Sequence, residues 1–93
     1  MKHILKRPLV SEKNTVLAQN SNQYVFVVDV NANRLEIAQA VALRFGVEVQ
    51  GVRTLQQRGK MRVLGRHFGK KSNWKKAFVT LKQGQKIELI EGL

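Results

Sequence analysis

The segment spanning residues 53–76 sets the terms for the whole chain. It carries nine basic side chains, Arg53, Arg58, Lys60, Arg62, Arg66, Lys70, Lys71, Lys75 and Lys76, and no acidic one. Nine like charges in 24 residues repel one another, which disfavours a compact segment unless a negative partner lies against it. The rest of the 93-residue chain holds the other eight basic residues and all six acidic ones, so most of the formal net charge of +11 comes from this stretch. Such a chain must build its core from the flanking sequence and leave this part outside it. The expected partner is a polyanion, and sign and clustering together favour nucleic acid over the plainer alternative of a solvated basic loop.

Within the basic segment, Gly59, Gly65 and Gly69 alternate with charge, and Phe68 and Trp74 interrupt it. Arg and Lys neutralise phosphates, and aromatic rings stack on unpaired bases. The mixture reads as an extended arm that follows irregular RNA, rather than a helix that fills a DNA groove. Phe68, in mid-arm, is the better stacking candidate, whereas Trp74 at the arm's foot is expected to anchor the arm to the core.

The flanking sequence supplies the core. Residues 23–30 read Gln-Tyr-Val-Phe-Val-Val-Asp-Val, a strand apolar enough to be central and covered on both faces. Asn33 with Glu36 three residues later forms a capping-box pattern; Ile37, Val41 and Phe45 then fall on one helical face, and Gly46 follows as a C-terminal cap. Residues 47–56 read as a second strand with a bulge at Gly51. Residues 76–82 form a third, with Ala77, Val79 and Leu81 on one face and Phe78 and Thr80 on the other. These two should pair as a hairpin whose long tip is the arm, at about residues 57–75. Residues 82–85 make a turn, and residues 87–90 add a short last segment. Residues 6–10 suit an edge strand because of Pro8. Ser11 can cap a short helix running to about Gln19, with Val16 and Leu17 facing inward. The expected fold class is a small α/β (α+β) single domain over residues 1–93, with a largely antiparallel sheet of three to four strands, two helices and a long basic hairpin arm.

Several function classes are set aside at this level. The chain has no Cys, so it has no disulfide framework, zinc knuckle or thiol chemistry. No apolar run approaches the ~20 residues of a membrane span, and the basic residues at 6–7 interrupt the place of a signal-peptide core, so no export is expected. A membrane-surface role lacks the amphipathic basic helix it would use. His3 and His67 have no acidic neighbour in sequence, and Glu88 and Glu91 read as a solvated face, so no catalytic set is expected. The run from Gly65 through Gly69, Lys70, Lys71 and Ser72 imitates a phosphate-binding loop, but its glycines are one residue too close and Lys71 separates Lys70 from Ser72. Residues 75–81, Lys-Lys-Ala-Phe-Val-Thr-Leu, also resemble the basic-aromatic strand of an RNA-recognition motif, with residues 24–30 as its partner. That fold requires a further helix and strand for which too few residues remain, and a free-standing single-strand RNA binder is therefore the runner-up.

Five blocks, taken in order, resemble the bacterial type of the large-subunit ribosomal protein family numbered twenty-three. They are Arg7-Pro8-Leu9-Val10-Ser11-Glu12-Lys13; Asn33-Arg34-Leu35-Glu36-Ile37 with Ala40-Val41 and Phe45-Gly46-Val47; Val52-Arg53-Thr54; Gly59-Lys60 with Gly65-Arg66 and Gly69; and residues 74–81. The resemblance implies a non-enzymatic protein of the cytoplasmic ribosome with no cofactor, metal or small-molecule substrate. Its implied partners are large-subunit rRNA near the nascent-peptide exit tunnel, neighbouring ribosomal proteins, and trigger factor, the signal recognition particle and the translocon at the tunnel exit. It implies that Ser11, Glu12 and Lys13 form the docking motif, with Glu12 meeting a basic chaperone loop. Gly46 stands where some relatives carry an acidic residue, so a second acidic docking contact is not expected there. The candidate rRNA-binding residues are Arg53, Arg58, Lys60, Arg62, Arg66, His67, Phe68, Lys70, Lys71, Trp74, Lys75 and Lys76.

Overall fold

The computed structural model describes residues 3–59, 61–64, 67–70 and 73–87. The elements follow the hydrophobic pattern closely: β1 (Leu5–Pro8), α1 (Glu12–Ser21), β2 (Gln23–Val28), α2 (Arg34–Phe45), β3 (Val49–Gln57), β4 (Met61–Leu64), β5 (His67–Lys70) and β6 (Trp74–Leu81). Four strands form one antiparallel sheet in the order β1-β2-β6-β3, and β4 and β5 form a separate two-stranded ladder.

Both helices are set by their ends. The Asn33 Oδ1 accepts from the Glu36 N–H at 2.8 Å and the Glu36 carboxylate accepts from the Asn33 N–H at 3.1 Å, which closes the capping box and starts α2. At its other end Gly46 sits at φ +63° and donates its N–H to the Ala42 carbonyl, so the chain leaves the helix in the left-handed region that glycine adopts without strain. Ser11 caps α1 through Asn14 N–H, 3.1 Å from its Oγ. Asn22 ends it at φ +53°, and its side-chain amide donates to the Leu81 and Lys82 carbonyls at 3.2 and 3.0 Å, tying the helix to the end of β6.

β2 runs through the middle of the sheet and is buried from Tyr24 to Val28. It stops two residues earlier than the sequence pattern suggests, because the Asp29 carboxylate accepts from the Asn31 N–H at 2.8 Å and turns the chain toward α2. Alternation then sorts the residues. Tyr24, Phe26 and Val28 of β2 and Ala77, Val79 and Leu81 of β6 pack with Ala32, Ile37, Val41, Val47 and Ile87 into one core on the helix side. The irregular register between Val49 and Gly51 confirms the expected bulge. One expectation needs correction. Val16 is 47% exposed and points away from the core, and Ala18, with its short side chain, is the α1 residue that packs on it. The long basic hairpin arm, as expected, is antiparallel, and it carries a ladder of its own, β4 with β5. The fourth-segment expectation at residues 87–90 lies outside the described residues apart from Ile87, which is buried.

Candidate nucleic-acid interface

The two ends of the sheet carry different features. β3 leads into the arm at Gln57 and β6 leaves it at Trp74, paired directly across from each other. The foot is pinned where the Asn73 Oδ1 accepts from the Gly59 N–H at 2.9 Å. Beyond it, Met61 pairs with Lys70 and Leu64 with His67. Among the described residues this ladder makes no extensive contact with another element, and the molecule measures 54 Å along its longest axis against 31 and 23 Å across. Its radius of gyration of 15.0 Å exceeds the roughly 12 Å of a compact chain this long. Strands β4 and β5 therefore hold together through their own backbone ladder.

The candidate residues separate by face. On β6 the pleat sends Lys75 toward the helices, where its Nζ donates to the Ala32 carbonyl at 2.7 Å and is partly buried. Lys76 goes to the opposite face, which neither α1 nor α2 covers. There Trp74, Lys76 and Phe78 alternate along β6, and the cross-strand pairs Leu55–Lys76 and Arg53–Phe78 place Arg53 beside Phe78. The Arg53 guanidinium lies 4.5 Å from the Phe78 ring centre. The Lys76 ammonium lies 5.5 Å from that ring and 5.9 Å from the ring of Trp74. Among the described residues these cations lie against ring quadrupoles and pair with no carboxylate, and no strand carries an acidic residue. Trp74 is 39% exposed on this face, which corrects the expectation that it anchors in the core. Its position in the pleat, in step with Phe78 and out of step with Ala77, is the physical reason.

Arg58 is exposed at the foot of the arm. The backbones of Arg62, His67, Phe68 and Lys70 lie in the β4–β5 ladder, while Lys60, Arg66 and Lys71 fall outside the described residues. Two residues of the open face were missed from sequence: Phe78, treated only as a strand residue, and Arg7, which stands directly across from Val27 on the same side as Lys76. The alternation of residues 75–81 already contained Phe78; the pairing that brings Arg7 to this face is long-range and had no local signal. The RNA-recognition-motif reading correctly made β2 and β6 neighbours, but Tyr24 turns to the core, where its hydroxyl accepts from the Ile87 N–H at 3.2 Å. β2 therefore turns Val25 and Val27, both buried, and no aromatic ring to this side of the sheet.

At the opposite end of the sheet, Ser11, Glu12 and Lys13 open α1 and are exposed. Two hydrogen bonds tie the turn: the Asn14 side chain donates to the Leu9 carbonyl at 2.8 Å, and the Thr15 hydroxyl donates to the Ser11 carbonyl at 2.8 Å.

A family model described as Ribosomal protein L23 matches residues 3–89. The chain belongs to the ribosomal protein L23 family. It is 50% identical over 88 residues to the large ribosomal subunit protein uL23 of Geobacter metallireducens, covering 95% of this chain and 94% of that one. The uL23 proteins of Aeromonas hydrophila and Pasteurella multocida are each 48% identical, covering 94% and 96% of this chain and 87% and 89% of theirs. An L23 protein is a structural component of the ribosome and not an enzyme, in keeping with a site made of cations and rings.

Proposed function

We propose that this L23 protein binds large-subunit rRNA beside the nascent-peptide exit tunnel of the cytoplasmic ribosome, and that its opposite end forms part of the docking platform there. The family match across residues 3–89 carries the ribosomal reading. The charge map supports the division of labour. The arm's Arg and Lys side chains neutralise phosphates in a folded RNA pocket, and the α/β body orients the arm. With about six to nine phosphates engaged, log K falls against log[salt] with a slope of order −0.7 to −0.9 for each.

Ser11, Glu12 and Lys13 are the docking residues in this reading, with trigger factor, the signal recognition particle and the translocon as partners. The support is local. Glu12 is fixed in the first turn of α1, and the exposed Val16 sits one turn on, so an acidic and an apolar contact lie side by side. The test is pelleting with ribosomes from a strain whose copy of the protein carries Glu12→Lys. The expected result is unchanged incorporation into large subunits with reduced trigger factor in the pellet; undiminished trigger factor overturns the docking assignment. Absence of the unaltered chain from large subunits overturns the ribosomal reading.

A further inference from the structure

The face of the sheet turned away from α1 and α2 is more than the other side of the core. Two cross-sheet rows define it: Arg7, Val27, Lys76 and Leu55 in one, and Val25, Phe78 and Arg53 in the next, with Trp74 beyond the first row toward the arm. From Trp74 to Phe78 the strand rises about 13 Å, and Arg7 and Lys76 stand two strand spacings, about 10 Å, apart. The aromatic rings form the floor, with Val25 and Val27 buried among them at 2% and 8% exposure. Cations stand between the rings and at the rim, and no acidic side chain from any strand intrudes.

A double helix presents its phosphates outward and its bases edge-on, so it would meet the rim charges and leave the rings without a partner. Unpaired nucleotides offer both a flat base for Trp74 and a phosphate for Lys76 or Arg7. We infer that this face, centred on Trp74, Lys76, Phe78 and Arg53 with Arg7 at its edge, is a stacking platform for unpaired nucleotides of the rRNA. The inference rests on the ribosomal reading and adds to it a second RNA contact, on the body rather than the arm. Arg53 is preset by the Phe78 ring, so it loses little freedom when a base stacks on it. Trp74 supplies the open ring.

The chain has a single tryptophan, so its emission reports this face directly. The full chain is titrated with transcribed large-subunit rRNA while retention of the labelled RNA and Trp74 emission are followed together. Emission should be quenched in step with binding. Trp74→Leu should weaken binding about tenfold with the salt slope unchanged, Trp74→Phe should restore most of that loss, and Arg7→Gln should lower the slope by about one. The thermal midpoint of each variant shows that it is folded, and the quenching of the unaltered chain stands independently of any variant. Steep salt-dependent binding with Trp74 emission unmoved and the Leu variant binding normally overturns the platform and leaves the ribosomal reading intact. Failure to retain rRNA even at low salt removes both.

Discussion

Lys75 and Lys76 are adjacent in sequence and equal in charge, yet they belong to different halves of the molecule. Lys75 faces the helices and holds the Ala32 carbonyl, on the side where Ala77 and Val79 are fully buried. Lys76 faces outward between two aromatic rings. A period of two turns one strand into a face packed on the helices and a face turned away from them, and it divides a basic run that composition counts as one patch. The difference teaches that charge in the arm's foot cannot be read as ligand contact residue by residue.

The comparison can be broken most severely on the helix side. Ile37→Ala should cost about 3 kcal/mol of unfolding free energy in a denaturant titration, since it empties a fully buried site between α2 and the sheet, while leaving the salt slope of RNA binding alone. Replacing Lys70, Lys71 and Lys76 together with Gln should do the reverse. Binding to rRNA should lose about three phosphate contacts' worth of salt slope, with the thermal midpoint unmoved; unchanged affinity at fixed salt would count against the arm and its foot as the site. Lys75→Met sharpens the contrast. It should lower stability by about 1 to 2 kcal/mol through the lost charge-assisted hydrogen bond and leave the slope as it was. Asn73→Ala should have the smallest effect, below about 1 kcal/mol, seen as faster amide exchange at Gly59.

The regular elements were legible because each rests on local signals. The capping box at Asn33 and Glu36, the glycine at 46 and the alternation of Ala77, Val79 and Leu81 all act within a few residues. The division of the site was less legible because it depends on long-range pairing. Nothing near Trp74 states that it will lie across from Gln57 and in step with Phe78, and an aromatic at a loop foot is more often buried. Val16 was misjudged for a related reason: α1 is weakly amphipathic, and only packing against the core decides that the small Ala18 faces in. The hairpin course of the arm was legible from the strands that flank it, but its own β4–β5 ladder was not, because glycines and charges show no apolar alternation.

The central claim is that this chain reads a folded rRNA surface through a basic arm and the open face behind it. A salt titration of the purified protein tests it most directly, comparing a folded large-subunit rRNA fragment with unstructured RNA of equal length. The account predicts a preference for the folded fragment that survives raised salt. Equal or tighter binding to the unstructured strand would contradict it and point to a general single-strand RNA binder.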